Sequence, residues 1–178
     1  MPLLRNGRLS EHDCWRRLAD EDPLPPPNGT TERGESAPGD TAAGAAVADG
    51  VAAPFALGLA RFLADADGCG AAGVWLRPDD DVLALAPYLS RLQLVAIDFP
   101  TFTDGRGYSQ ARLLRSPLAF GGEIRATGDV RPDQVLFMMR AGFDAFEFAT
   151  APDESLLRRA LSRFRTSYQP SYALPIAG

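Results

Sequence analysis

The chain has 178 residues, of which 46% are hydrophobic, enough to bury the core of one domain. Its formal net charge is -5, and it carries no basic stripe of the kind that nucleic-acid-binding proteins use. No apolar run reaches membrane-spanning length, and the start of the chain lacks the apolar run of a secretory signal. We therefore predict a cytoplasmic protein with no nucleic-acid partner and no membrane partner.

Residues that usually carry metal or redox chemistry are scarce. Cys14 and Cys69 lie far apart, and His12 is the one histidine. This set supplies neither a Cys-x-x-Cys redox pair nor the ligands of an iron–sulfur cluster or a structural zinc ion. All 18 basic residues are arginine, so a Schiff-base lysine and a P-loop lysine are also excluded. We predict no metal site, and the cofactor stays unknown.

The first fifty residues differ in composition from the rest of the chain. Asn6 and Gly7 form a strong tight-turn dipeptide, which predicts a small hairpin at the start of the chain. With one or two helical turns predicted over 11–19, this makes an N-terminal unit of residues 1–19. Residues 20–50 are acidic and rich in proline and glycine, which predicts a flexible linker. An acidic docking tail is the alternative interpretation of this segment.

A repeating strand–helix rhythm runs through residues 51–169, and residues 170–178 are predicted to form a tail. Strands are predicted at 51–57, 73–77, 92–99, 123–127 and 143–148, with helices at 59–66, 78–89, 109–115, 132–141 and from 152 onward. Such units imply an α/β fold with a mostly parallel sheet and right-handed crossovers. We favour an open three-layer sandwich, with a half-barrel as the alternative, because hydrophobic periodicity does not distinguish the two.

Polar side chains gather after two neighbouring predicted strands. The loops at 99–109 and 127–134 should meet, because the carboxyl ends of parallel strands share one edge of the sheet. Ser109 is also predicted to be the N-cap of the helix that follows the first loop. The candidate residues at or near this edge are Asp104 and Tyr108 as catalytic groups, and Arg106, Ser109, Arg112, Arg125, Asp129, Arg131 and Gln134 as ligand-binding groups.

Arginine presents a planar fork of donors that suits carboxylate, phosphate and sulfur oxyanions. Backbone N–H groups at a helix start would add positive potential for a small anion. Tyr108 and Asp104 would then serve as acid–base partners. The alternative is structural, with Asp104, Asp129, Arg106 and Arg125 locking two loops together by ion pairs.

Three segments carry a family resemblance: FPTFTDGRGYSQARLLR at 99–115, GEIRATGDV at 122–130 and RAGFDAF at 140–146. They resemble an uncharacterised bacterial family whose members are commonly labelled oxidoreductases of sulfite reduction, because they are encoded beside assimilatory sulfite reductase. The resemblance covers residues 73–169, and the hairpin and Trp15 are also similar to that family. It implies a role in sulfate assimilation and cysteine supply, with sulfite reductase or related assimilation enzymes as partners. It transfers no catalytic residue.

The absence of a redox cofactor motif leaves enzymatic activity uncertain. Our first hypothesis is an accessory protein of assimilatory sulfite reduction that binds an oxyanion or the reductase through its arginine-rich loops. A small acid–base enzyme acting on an anionic metabolite and a purely structural or oligomer-forming domain are the alternatives. The sequence names no ligand, electron donor or oligomeric state.

Overall fold

A computed structural model describes residues 2–5, 8–10, 13–25 and 53–162. The predicted Asn6–Gly7 turn, most of the acidic segment and the predicted tail lie outside the described residues. In chain order the elements are β1 (Leu3–Arg5), β2 (Arg8–Ser10), β3 (Arg16–Arg17), β4 (Phe55–Gly58), α1 (Leu59–Ala64), β5 (Gly73–Leu76), a 3₁₀ helix (Val82–Tyr88), β6 (Leu94–Phe99), α2 (Arg106–Arg115), β7 (Glu123–Gly128), α3 (Val135–Ala141), β8 (Ala145–Glu147) and α4 (Glu154–Ser162).

The described strands form one eight-stranded sheet in the order β2-β1-β8-β7-β6-β5-β4-β3. Strands β3 to β8 run parallel in chain order, while β1 pairs antiparallel with β8 and forms the predicted hairpin with β2. Because the order never reverses, right-handed crossovers place all the intervening helices on the same face.

The sheet is strongly curled, so the fold is a half-barrel with helices on its convex side. The predicted α/β class, the mostly parallel sheet and the N-terminal hairpin are confirmed. Of the two predicted architectures, the half-barrel is observed and the favoured three-layer sandwich is wrong. A sandwich needs helices on both faces, which requires a reversal of strand order that the described strands do not make.

The main hydrophobic core lies between the convex face of the sheet and the helices. Ile97 and Phe99 of β6 are buried there together with Leu114 of α2 and Val135 of α3. Helix α2 approaches β6 so closely that a Cβ atom on Gly107 would lie 2.6 Å from the ring of Phe99. This contact requires glycine and fixes the start of α2 over the end of β6.

Helix boundaries follow local chemistry with two differences from prediction. Helix α3 ends at Gly142, whose φ of 115° is left-handed, as its predicted role as a C-terminal stop requires. Helix α2 begins at Arg106 after Gly105, so the prediction of Ser109 as its N-cap is wrong. The carboxylate of Asp104 instead accepts the first helical N–H, that of Arg106, at 3.1 Å. The helix predicted from Pro78 onward is the short 3₁₀ helix.

Residues 13–18, here called the strap, cross the concave face of the sheet. Asp13 pairs with Arg125 of β7, and Trp15 packs so closely on β5 that a Cβ atom on Gly73 would lie 2.9 Å from its ring. The strap then joins the sheet as β3, where the N–H of Leu18 donates to a carbonyl of β4 at 3.0 Å. Over residues 13–19 the predicted helical turns are therefore wrong, because the N–H groups of Arg16 and Leu18 bond to the β4 segment instead; residues 11 and 12 lie outside the described residues.

The strap forces the sheet to curl. Strands β2 and β3 lie at opposite edges of the sheet, separated by seven strand-to-strand steps, which would span about 34 Å if the sheet were flat. The chain passes from Ser10 to Arg16 in six residue steps, which reach at most about 21 Å. In a flat sheet of this order, β2 and β3 would be too far apart for the segment between Ser10 and Arg16 to join them. Only a curled sheet brings the two edge strands close enough for that segment to span.

Truncation of Leu18 tests whether the strap is part of the folding unit. Leu18 is 0% exposed, so Leu18→Ala should lower the free energy of unfolding by about 2–5 kcal/mol in chemical denaturation. Leu24→Ala, which truncates a side chain that is 40% exposed six residues later, should change it by no more than about 0.5 kcal/mol. Equal effects of the two substitutions would contradict an integral strap.

Candidate functional site

The two predicted polar loops meet at the carboxyl edge of the sheet. Strand β7 ends at Gly128, whose φ is 90° and whose Cβ position would lie 2.3 Å from the carbonyl oxygen of Phe99, so only glycine fits. The N–H of Asp129 donates to that same carbonyl at 2.7 Å. The loops that follow β5, β6 and β7, residues 77–81, 100–105 and 129–134, are called the loop edge below.

Arg106 is bound by carboxylates of its own chain. Its Nε and Nη2 donate to the two carboxylate oxygens of Asp104 at 3.0 and 2.8 Å, and its Nη1 donates to Asp79 from the loop after β5. These hydrogen bonds hold the pKa of Asp104 below its ordinary value and raise that of Arg106. All three guanidinium nitrogens therefore already have an anionic partner, although the side chain is 56% exposed.

Phe102 and Arg131 form an exposed stacked pair at the tip of the loop edge. The guanidinium carbon of Arg131 lies 3.4 Å from the centre of the Phe102 ring, and Phe102 is 38% exposed. Asp129 accepts the N–H of Phe102 at 3.1 Å, and the side-chain amide of Gln134 donates to its carbonyl at 2.8 Å. Hydrogen bonds from the β7 loop thus hold the β6 loop on both sides of the ring.

Tyr108 lies at the start of α2 and packs into the aromatic part of the core. Its ring meets Phe99 edge-on at 5.7 Å between centres and Phe143 at 6.4 Å. Burial, with a smaller effect from the nearby carboxylate of Asp133, raises the pKa of the Tyr108 hydroxyl. The hydroxyl is therefore protonated at neutral pH and is suited to donate a proton rather than to accept one.

The remaining predicted residues lie elsewhere. Ser109 and Arg112 are exposed on α2, and Arg112 is about 9 Å along the helix from Arg106. Arg125 is not at the loop edge: it is 3% exposed on the concave face, beneath the strap. The structure thus pairs Asp104 with Arg106 and brings Asp129, Arg131 and Gln134 together around Phe102. Tyr108 packs against Phe99 and Phe143 instead, near the carboxylate of Asp133. Ser109, Arg112 and Arg125 take no part in these contacts.

Four charged residues form a network on the concave face. Arg125 donates through Nε to Glu123 at 2.9 Å and through Nη1 to Asp13. Arg5 of β1 places its Nε 2.7 Å from the other oxygen of Glu123, close enough for an ion pair but without the alignment of a hydrogen bond. Burial lowers the pKa of Arg125, and the two carboxylates more than offset this, so the net shift is upward.

Sequence reasoning missed this network and two members of the loop edge, Asp79 and Phe102. A usable signal was present in β7, where Glu123, Arg125 and Thr127 alternate with apolar residues. Such alternation indicates a strand with one polar face. No local signal identifies Asp13 as the partner of Arg125, because 112 residues separate them in the chain.

Within the described ranges, no three His, Cys, Asp or Glu side chains are placed to hold a metal ion. None of the helices in that part of the chain combines the length and hydrophobicity needed to cross a bilayer.

The sequence model of a bacterial family of unknown function, DUF934, matches residues 73–177. This match covers more than half of the chain and includes β5 to β8, the loop edge and the concave residues Glu123 and Arg125. The chain therefore belongs to that family. No curated protein matches the chain.

Removal of the Asp129 carboxylate should loosen the β6 loop. In Asp129→Ala, the amide of Phe102 loses its acceptor, so its hydrogen exchange should speed up about fivefold, equivalent to about 1 kcal/mol. Amide exchange followed by NMR or mass spectrometry measures this. Asp133→Ala, a change in the same loop at a residue that does not accept from Phe102, is the control. Unchanged exchange in Asp129→Ala would show that the contact does not order the loop.

The raised pKa of Tyr108 gives a pH dependence with a definite sign. The folded protein favours the neutral Tyr108 hydroxyl, and this preference stabilises the folded state relative to the state at high pH. An unfolded tyrosine ionises near pH 10, before the folded one, so this stabilisation is fully present below pH 10. It is lost as the pH rises toward the folded pKa. NMR titration, with Tyr108→Phe to assign the signal, should place the Tyr108 pKa above 10, and Asp133→Asn should lower it. A Tyr108 pKa at or below 10 would contradict the buried environment.

Proposed function

Starting from membership of this bacterial family, we propose that the protein is an accessory factor of assimilatory sulfite reduction that docks on sulfite reductase through its loop edge. The assignment to sulfite reduction is supported by the resemblance of segments 99–115, 122–130 and 140–146 to proteins encoded beside that enzyme. Segments 99–115 and 122–130 contain residues 100–105 and 129–130 of the loop edge, and segment 140–146 runs from the end of α3 into β8.

The observation that carries the docking role is the exposed Phe102–Arg131 pair. Aromatic residues and arginine are enriched at the energetic centres of protein interfaces. Here the Phe102 backbone is held before any partner arrives, because its N–H donates to Asp129 and its carbonyl accepts from Gln134, and Nε of Arg131 donates to Asp129 at 3.5 Å. A preformed pair loses little conformational freedom on binding, which favours affinity.

The contacts of Arg106 favour a protein partner over a small anion at this edge. Its nitrogens are already paired with Asp104 and Asp79, so an oxyanion would have to displace two carboxylates. A role in acid–base catalysis has less support, because a carboxylate with a lowered pKa, such as Asp104, is a weak base.

A second candidate function is structural, and the same internal pairing of Arg106 supports it. If the loop edge serves only to hold three loops together, Arg106→Ala should lower the melting temperature sharply. A fully folded Arg106→Ala protein with a normal melting temperature would exclude this candidate.

The docking proposal is tested by binding of the purified protein to purified sulfite reductase. Arg131→Glu and Phe102→Ala should each weaken binding at least tenfold, about 1.4 kcal/mol. Arg91→Glu is the matched control, because Arg91 also stacks on aromatic rings, those of Phe62 and Tyr88, but lies before β6 at the other end of the sheet. Equal losses in Arg131→Glu and Arg91→Glu would contradict docking through the loop edge.

The biological role has its own test. Deletion of the gene should impair growth on sulfate or sulfite as the sulfur source, and cysteine should restore it. A gene carrying Arg131→Glu should behave like the deletion, while one carrying Arg91→Glu should behave like the wild type. Normal sulfite-dependent growth after deletion would refute the role.

A further inference from the structure

Arg125 occupies the middle of the concave face with small neighbours on both sides. In the register of the sheet it lies beside Ala96 of β6 and Ala145 of β8, and Trp75 of β5 follows Ala96 in the same row. A guanidinium flanked by two alanines is not covered from the sides. The strap reaches it through the carboxylate of Asp13, which accepts from Nη1.

The two carboxylates on Arg125 are held differently. Glu123 lies on the same strand, and its side chain is 6% exposed. Asp13 belongs to the strap, and its side chain is 27% exposed, so it is open to solvent beside a buried cation. Displacement of Asp13 therefore requires movement of the strap near residue 13 but no change in the sheet.

Two buried N–H donors and one buried acceptor, Glu123 Oε2, lack an aligned hydrogen bond on this face within the described residues. The indole Nε1 of Trp75 is buried and donates to no acceptor among the described residues. Nη2 of Arg125 lies 2.8 Å from a Glu123 oxygen, yet it makes no aligned hydrogen bond within that part of the chain. Without Asp13, the network would retain Arg5 and Arg125 against Glu123, a net charge of +1. Unmatched N–H donors with a net positive charge suit an anion with several oxygens.

We propose that Arg125 forms a binding site for a small oxyanion, inorganic or carboxylate, and that Asp13 of the strap occupies this site when the ligand is absent. The ligand's oxygens take the place of the Asp13 carboxylate on Nη1 and gain the unaligned Nη2. The site lies on the opposite face of the sheet from the helices and does not depend on docking through the loop edge.

Tryptophan fluorescence gives a direct readout, because the only two tryptophans of the chain, Trp15 and Trp75, lie on the strap and beneath it. The full chain is titrated with sodium sulfate and, separately, with sodium acetate, at constant ionic strength set by sodium chloride. At least one of the two anions should give a saturable change, and the two arms show whether the site takes an inorganic oxyanion or a carboxylate.

Removal of the competing carboxylate should strengthen binding. Asp13→Asn should bind the same anion about tenfold more tightly, since the ligand no longer competes with an internal carboxylate. Arg125→Gln should abolish the saturable change. Arg112→Gln, which alters an exposed arginine on α2, should leave the affinity unchanged.

Arg125→Gln removes one partner of a buried ion pair and is therefore at risk of not folding, so Asp13→Asn is the deciding variant. If Asp13→Asn folds, as judged by circular dichroism, and shows no saturable change or no gain in affinity, the proposal is overturned. A change of the same size in Arg112→Gln would also overturn it. Binding of sulfite reductase through Phe102 and Arg131 should be the same in Asp13→Asn and in the wild type, which separates this proposal from the docking role.

Discussion

The passage of the strap across the concave face is the constraint on which the rest of the structure depends. Six residue steps connect strands at opposite edges of an eight-stranded sheet, so the sheet closes partly around its own N-terminal segment. The curl places Trp15 on the inside of the sheet, while Leu18 is buried in the core on the helix side together with Leu57 and Phe62. Arg61 of α1 donates to the carbonyls of Ala19 and Asp22, so the chain is also held beyond the sheet edge.

This arrangement separates two kinds of polar chemistry. On the concave face, Arg125 and Glu123 are buried, and the desolvation of each charge is offset only by the close ion pairs that they make. At the loop edge, Arg106 and Arg131 are about half exposed, so solvent screens their ion pairs and each pair contributes little to stability. The first group therefore depends on an intact strap, whereas the second is available to a partner.

The loop edge gains its order from the sheet rather than from its own residues. Gly128 brings the backbone of the β7 loop against Phe99, and this close approach puts Asp129 and Gln134 within reach of Phe102. Because the order of the described strands never reverses, those strands leave no crevice of the doubly wound type between diverging loops. The loops that follow the parallel strands instead lie along one edge of the sheet, as they do in closed barrels of strand–helix units.

The sequence by itself determined the strand–helix units, the hairpin, the glycine stop of α3 and the meeting of two polar loops, because hydrophobic periodicity and turn residues act over a few neighbouring positions. It did not distinguish the half-barrel from the sandwich that we favoured wrongly, since both use the same units, and the direction of successive crossovers is a property of the whole sheet. It placed Arg125 on the strand before the second loop but grouped it with the ligand-binding residues of that edge, although the alternation around it indicated a polar strand face. Only the tertiary structure decided that Arg125 lies under the strap and that Arg106 pairs with Asp79, because these partners are distant in sequence and meet only after the sheet has curled.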